Sequence, residues 1–108
     1  LEKHGRRFEQ RCFTAAEVAY ANRRPKRAAE HLAARFAAKE AVLKALGTGW
    51  IRGISWRDIE VRNNAAGTPS VRLYGGARDV MERSGIERIH LSLSHCRTHA
   101  TATAIAEG

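Results

Sequence analysis

Cysteine, aromatic residues and long apolar runs are all scarce in this sequence of 108 residues. Its two cysteines, Cys12 and Cys96, lie far apart and outside any C-x-x-C or zinc-ligand spacing, which argues against a disulfide framework and a structural zinc site. Its apolar runs fall well short of the roughly 20 residues that a membrane-spanning helix needs. The sequence therefore predicts a protein of the reduced cytoplasm with no membrane partner.

Acidic residues are outnumbered by basic ones, 11 against 19, which gives a formal net charge of +8. A field of this sign steers anions toward the protein, so nucleic acid, anionic lipid, phosphorylated cofactors and acidic proteins are the candidate partners. A basic nucleic-acid-binding module is one alternative. Aromatic residues that could stack on bases make up only 6% of the chain and are not interleaved with the basic residues, so we expect no nucleic-acid partner.

Internal repeats, low-complexity tracts and linkers are absent from the sequence. We therefore expect residues 1–108 to form a single domain. A chain of this length buries only a modest core, so we also expect part of its stability to come from self-association.

Two helices are predicted in the first half of the chain. Thr14 followed by Glu17 is a capping box, which predicts a short helix that ends before Pro25. Helix-forming residues then fill positions 28–46, and Gly47 follows as a C-cap, which predicts a long second helix. At about 100° per residue, this helix carries an apolar stripe beside a flank of alanines. The stripe is Leu32, Phe36, Leu43 and Leu46, and the flank is Ala33, Ala37, Ala41 and Ala45.

After the long helix the apolar period changes to two, which is typical of strands. The pattern predicts two hairpins separated by a short helix, with a slip or bulge in the first strand near Asp58. The predicted strands cover 54–61, 71–74, 89–94 and 100–105, and the predicted helix covers 77–84. This order indicates an α+β fold, in which an antiparallel sheet packs against the long central helix.

Glu40 and Lys44 are the first candidate functional pair. They lie one turn apart on the long helix, beside the alanine flank, so we expect them to be partly enclosed, and enclosed charges need a partner or a function. The alternative is an ordinary i, i+4 ion pair on a solvated face. Lys39 falls near the middle of the apolar stripe, where the simplest interpretation is a lysine that extends its ammonium to the surface. Arg35 lies at the other edge of that stripe.

Two further features could bind a phosphate group. Gly47 begins a Gly-Thr-Gly segment whose backbone N–H groups are open to an anion, although a glycine here is also an ordinary helix stop. His95 ends the strand that begins at Leu91. It could bond or protonate a phosphate oxygen near neutral pH, or it could serve a structural role.

The stretch from Arg35 to Gly49, RFAAKEAVLKALGTG, closely resembles the main motif of the bacterial holo-acyl-carrier-protein synthases, a family of 4′-phosphopantetheinyl transferases. The resemblance extends from about Gly5 to the C-terminus. It includes Arg7-Phe8 through Phe13-Thr14, Gly53-Ile54-Ser55-Trp56 through Ile59-Glu60-Val61, Gly67-Thr68-Pro69, and Leu91-Ser92-Leu93-Ser94-His95.

The resemblance implies both an activity and an assembly. The enzyme would transfer the 4′-phosphopantetheine arm of coenzyme A to a serine of apo-acyl carrier protein, with magnesium as cofactor, and would release adenosine 3′,5′-bisphosphate. Members of the family serve fatty acid biosynthesis. They are trimers whose cofactor sites lie between neighbouring subunits, so we expect a homotrimer whose partners are coenzyme A and acyl carrier protein.

The resemblance also implies roles for individual residues. Glu40 would bind magnesium and Lys44 would contact the coenzyme A pyrophosphate, while either Glu40 or a metal-bound water would accept the serine proton. Glu40, Lys44 and His95 are thus the expected catalytic residues. The expected cofactor-binding residues are Arg35 and His95 near the phosphates, Lys44 at the pyrophosphate, Gly47 through its backbone and Pro69 beside the adenine. The basic segment that contains Arg6, Arg7 and Arg11 would dock the acidic carrier protein.

One departure from the family pattern concerns the metal. Family members carry a Gly-x-Asp on a first strand, and its aspartate is the second protein ligand of the magnesium ion. That motif does not occur here in the expected position, so we expect the domain to lack its N-terminal strand. A catalytically inactive scaffold of the same fold is the resulting alternative.

Overall fold

The computed structural model describes residues 9–47, 54–95 and 100–108, without the side chain of His95. Residues 9–12 are helical and are followed by seven principal elements. These are α1 (Ala15–Asn22), α2 (Ala28–Ala45), β1 (Ile59–Asn63), β2 (Pro69–Leu73), α3 (Gly75–Arg83), β3 (Arg88–His95) and β4 (Ala100–Glu107). Single 3-10 turns at Pro25–Arg27 and Trp56–Asp58 precede α2 and β1.

The predicted capping box starts α1. The Thr14 hydroxyl accepts a hydrogen bond from the Glu17 N–H, and a carboxylate oxygen of Glu17 accepts one from the Thr14 N–H. Two backbone N–H groups that have no partner within a helix are thereby satisfied. The prediction of a short helix that begins here and ends before Pro25 is confirmed.

The long helix α2 is confirmed, with Gly47 in the left-handed conformation (φ +76°) just beyond its end. The prediction of its buried face was only partly right, because Ala33 is exposed whereas Ala34 and Ala38 are fully buried. α2 packs mainly against β4, where half-buried alanines alternate with exposed residues. Small side chains on both surfaces let the helix approach the strand closely. The buried positions of α2 are Ala34, Arg35, Ala38, Lys39, Val42 and Leu43.

The first predicted strand was wrong over residues 54–58. Ser55 instead caps a 3-10 turn, since its hydroxyl accepts a hydrogen bond from the Arg57 N–H and Asp58 accepts one from the Ser55 N–H. β1 begins only at Ile59. The Ser-x-x-Asp spacing is itself a capping signal, and it outweighs the apparent alternation of the flanking apolar residues.

The strands form two antiparallel ladders within the described part of the chain. β1 pairs with β2 in the register Ile59↔Leu73, and β3 pairs with β4 in the register Arg88↔Glu107. β2 lies beside β3 without a ladder of hydrogen bonds between them. α2 packs against β1, β3 and β4, which confirms the α+β arrangement with a long central helix. The apolar core includes residues of α2 itself, of β1 and of α3. It comprises Val42, Leu43, Leu46, Ile54, Ile59, Ala77 and Val80.

Among the described residues, each helix is too short or too polar to cross a lipid bilayer.

Candidate active site

Glu40 and Lys44 lie one turn apart on α2, and both side chains are exposed. The expectation that the alanine flank encloses them is wrong for the isolated chain. The alternative of an i, i+4 ion pair is also not observed, because no salt bridge of the described residues joins the two. The helix thus presents a carboxylate and an ammonium group that remain available to an external ligand.

Lys39, the residue before Glu40, is fully buried. Its Nζ donates hydrogen bonds to a carboxylate oxygen of Glu17 at 2.8 Å, to the carbonyl of Trp56 at 2.9 Å and to the carbonyl of Ile59. Burial lowers the pKa of Lys39, and the charge of Glu17 opposes this effect. The interpretation of Lys39 as a lysine that reaches the surface is therefore wrong.

Glu17 balances this charge from α1 and is equally buried, since neither side chain of the ion pair has any exposed surface. One of its carboxylate oxygens accepts the bonds from Lys39 and from the Thr14 N–H, and the other accepts one from the Val61 N–H at 2.9 Å. A buried carboxylate needs such donors to offset the loss of water. The pair is therefore fully accommodated inside the fold.

A second buried carboxylate, Glu60, lies next to this pair on β1. It accepts hydrogen bonds from the Thr14 hydroxyl at 2.6 Å, from Arg62 at 2.6 Å and from the Tyr74 hydroxyl at 3.2 Å. Burial opposes ionisation of Glu60, but these three donors outweigh it and lower the pKa of the carboxyl group. Thr14 is thus shared between the start of α1 and β1.

Arg35 is almost completely buried, with 2% of its surface exposed. Its Nη2 donates to the side-chain oxygen of Asn63, and its guanidinium carbon lies 4.3 Å from the centre of the Tyr20 ring. Burial lowers the pKa of Arg35 from its ordinary value. Its Nε is buried without a hydrogen-bond partner among the described residues, an arrangement that would suit an added anionic acceptor.

A cavity of about 320 Å³ adjoins Arg35. It brings Arg35 and Pro69 together, two residues that the family resemblance assigns to the cofactor. Tyr20, His31 and Asn63 also line it, and they were not predicted because they come from separate parts of the chain and belong to no motif. The remaining lining residues are Ala34, Gly67, Leu91, Ser92 and Leu93.

The cavity and the Glu40–Lys44 pair lie on different sides of α2. At about 100° per residue, Glu40 is rotated by about 140° and Lys44 by about 180° from Arg35 around the helix axis. Their exposure agrees with this rotation, since Arg35 is buried while Glu40 and Lys44 are exposed. One chain alone therefore does not bring all the predicted site residues into one pocket.

Comparison with known proteins identifies the family. The profile of the 4′-phosphopantetheinyl transferase superfamily matches residues 1–104. The chain belongs to this superfamily. It is 47% identical to the holo-[acyl-carrier-protein] synthase of Syntrophus aciditrophicus over 108 residues, which cover all of this chain and 84% of that relative. The chain is thus an enzyme of the holo-[acyl-carrier-protein] synthase type of phosphopantetheinyl transferase.

Solved structures of this transferase type share the fold. The holo-[acyl-carrier-protein] synthase of Neisseria meningitidis is 37% identical and superposes with a TM-score of 0.82, covering 98% of this chain and 84% of that one. The Bacillus anthracis enzyme in complex with CoA (3′,5′-ADP) is 36% identical, with a TM-score of 0.78 and the same coverage of both chains.

Several residues expected at a transferase site remain predictions. Arg6, Arg7 and the Thr48-Gly49 segment lie outside the described residues, and His95 is described only through the pairing of its backbone with Ala100. Gly47 is described and exposed at the end of α2, and Arg11 is exposed on the helical residues 9–12. Both residues are thus accessible to a ligand or partner.

Magnesium, the metal implied by the transferase resemblance, can be tested against the chemistry of Glu40. Mg²⁺ prefers oxygen ligands and usually binds one or two carboxylates together with substrate phosphates and water. Glu40 offers an exposed carboxylate that is not in a salt bridge within the described ranges. Those ranges contain no group of three His, Cys, Asp or Glu side chains that could form a metal site by themselves. The Glu40 carboxylate therefore fits a magnesium ion that is shared with a phosphorylated ligand.

Proposed function

We propose that this chain transfers the 4′-phosphopantetheine arm of coenzyme A to a serine of apo-acyl carrier protein and releases adenosine 3′,5′-bisphosphate. The observation that carries the proposal is the exposed Glu40–Lys44 pair. Neither of its side chains forms a salt bridge within the described part of the chain. Its relatives bear the name of this activity, and the Bacillus anthracis structure contains the corresponding cofactor. We also propose a cytoplasmic role in fatty acid biosynthesis, as the family resemblance implies.

In the proposed reaction the serine oxygen attacks the β-phosphorus of coenzyme A. The bond from that phosphorus to the oxygen bridging to the α-phosphate breaks, and adenosine 3′,5′-bisphosphate leaves. The proton of the serine hydroxyl would pass to Glu40 or to a water molecule. Glu40 would hold the magnesium ion, which would offset negative charge on the phosphate oxygens. Lys44, one turn further along α2, would place its ammonium against the pyrophosphate and stabilise the same charge.

The buried Arg35 would bind a different part of the cofactor. Its Nε lacks a hydrogen-bond partner within the described residues. Arg35 also lines a cavity together with Pro69. This arrangement suits a phosphate beside an adenine, with Pro69 as an apolar wall. His95, at the end of β3, is proposed to contact a cofactor phosphate, and Gly47 is proposed to offer its backbone N–H.

A homotrimer with its sites between subunits would reconcile these assignments. Arg35 and the Glu40–Lys44 pair lie on different sides of α2, so one chain would contribute the pair while a neighbouring chain contributes the Arg35 cavity. The basic residues Arg6, Arg7 and Arg11 are proposed to dock the acidic carrier protein, since opposite charges favour encounter between the two proteins.

Mass spectrometry of the carrier protein tests the proposed reaction. Incubation with coenzyme A and magnesium should increase the mass of an apo-carrier protein by one phosphopantetheine group. A carrier whose acceptor serine is replaced by alanine should keep its mass, and so should a reaction that contains EDTA. If the intact carrier is unmodified although coenzyme A binds, the chain is instead an inactive scaffold of the same fold.

A further inference from the structure

The buried ion pair of Glu17 and Lys39 takes no part in the proposed transfer, yet it directly adjoins Glu40 in the sequence. Both side chains are fully buried and lie 2.8 Å apart. We refer to these two side chains as the Glu17–Lys39 pair. Lys39 of this pair thus lies one residue before Glu40, the proposed metal ligand.

Lys39 connects α2 to three other parts of the fold. Its ammonium donates to Glu17 at the start of α1, to the Trp56 carbonyl in the 3-10 turn and to the Ile59 carbonyl at the start of β1. An ammonium group has three donors, so all of them are used. These hydrogen bonds therefore fix the helical turn that carries Lys39 and Glu40 relative to β1, both in its rotation about the α2 axis and in its position along that axis.

Glu17 is held equally firmly. The Val61 N–H on β1 and the Thr14 N–H at the start of α1 both donate to its carboxylate. β1 thus contacts both members of the pair, through the Ile59 carbonyl and the Val61 N–H. The pair and the backbone of β1 form one connected group of hydrogen bonds.

Stability alone is a weak explanation for such a pair. Replacement of a buried ion pair by apolar residues of similar volume often leaves a protein equally stable or more stable. An apolar pair cannot form the directed hydrogen bonds by which Lys39 contacts three elements at once. The distinctive contribution of Glu17 and Lys39 is therefore geometric.

We propose that Glu17 and Lys39 are positioning residues for Glu40: they hold the α2 turn that carries its carboxylate at the place where the metal and the cofactor phosphates meet. The inference rests on the proposed role of Glu40 as the magnesium ligand. Residues that orient a metal ligand typically change metal affinity or activity by about 10- to 100-fold when they are replaced.

A double variant, Glu17→Gln with Lys39→Met, separates positioning from stability. The introduced methionine would keep most of the apolar stem of the lysine, and the introduced glutamine would still accept a hydrogen bond from the Val61 N–H. Because no unpaired charge remains, the double variant should unfold at a higher denaturant concentration than either single variant. It should unfold below the wild-type concentration, since the Trp56 and Ile59 carbonyls lose the donor on Lys39.

Kinetics and binding then provide the decisive measurements on the double variant. We expect kcat to fall about 10-fold or more, with KM for coenzyme A changed by less than about threefold, and magnesium affinity in the presence of coenzyme A to fall about 10-fold. Isothermal titration measures that affinity without turnover. Wild-type kcat and magnesium affinity in a folded double variant would show that the pair is only structural.

A conservative variant covers the case in which the double variant does not fold. Glu17→Asp keeps both charges and shortens the carboxylate by one methylene group, so the ion pair is displaced but remains paired. It should lower kcat and magnesium affinity in a folded protein, and wild-type values would overturn the inference. If the wild-type protein binds magnesium with coenzyme A but transfers nothing, the proposed function fails while the titrations still test positioning.

Discussion

Two lysines on the same helix, Lys39 and Lys44, show how differently one side chain can be used within five residues. Lys39 has no exposed surface and donates to three oxygens of the same chain. Lys44 is exposed and forms no salt bridge in the described part of the molecule. The difference teaches that a charge buried by folding is matched internally, whereas a charge left unmatched on the surface is available to a ligand.

The largest effect should be on stability and should come from breaking the buried ion pair of Lys39 and Glu17. Lys39→Met leaves Glu17 as an unpaired buried charge, which should lower the free energy of unfolding by about 3–5 kcal/mol. Lys44→Met is the matched control and should change it by no more than about 0.5 kcal/mol. Urea denaturation of both variants measures the contrast. Equal stabilities would show that Lys39 is more hydrated in solution than its contacts indicate.

The second effect concerns Glu40 on the exposed side. Glu40→Gln keeps the volume of the side chain but replaces a good magnesium ligand by a poor one. A loss of about 3 kcal/mol in transition-state stabilisation corresponds to a fall of about 100-fold in turnover. The carrier modification assay gives the rate and urea denaturation gives the stability, which should not change. Unaltered turnover at limiting magnesium would exclude the ligand role.

Lys44→Met should have a smaller effect on the same reaction. Loss of a charge-assisted hydrogen bond costs about 1.5–3 kcal/mol, so turnover should fall by at least about 10-fold while the fold stays intact. Lys26→Met removes another exposed lysine and should leave turnover unchanged. A loss of stability with normal specific activity for Lys44→Met would instead indicate a structural role.

The smallest effect should follow charge reversal at the proposed docking segment. Arg11→Glu should raise KM for the carrier protein about threefold at low salt, and this difference should shrink at high salt because added ions screen the interaction. KM for coenzyme A should not change. Arg83→Glu, an equal charge change at an exposed position on α3, is the control. Equal increases of KM for both substrates would contradict a docking role.

Local signals in the sequence predicted the helices well. The Thr14 and Glu17 capping box starts α1, and the composition of residues 28–46 with Gly47 behind it defined α2 within one residue. Such signals act between residues a few positions apart, so they can be recognised in the sequence without knowledge of the tertiary contacts. The family motif on α2 was identified from the same stretch of the sequence.

The contacts that the sequence did not predict join distant segments. Lys39 meets Glu17 across 22 residues, and Arg35 meets Asn63 across 28 residues. A helical wheel shows which side of α2 is apolar, but it does not show which oxygens stand opposite that side. For this reason Lys39 was misinterpreted, and the roles of Glu40 and Lys44 still rest on the family resemblance and their exposure.

Thr14 limits which residues evolution can place at the start of α1. Its single hydroxyl accepts from the Glu17 N–H and donates to Glu60, so this position needs an oxygen that can do both. Aspartate caps isolated helices well, but here it would set a second carboxylate against Glu60. Serine meets both demands. A library randomised at position 14 and selected for folding should therefore retain threonine and serine and lose aspartate, and recovery of aspartate would show that the bond to Glu60 is dispensable.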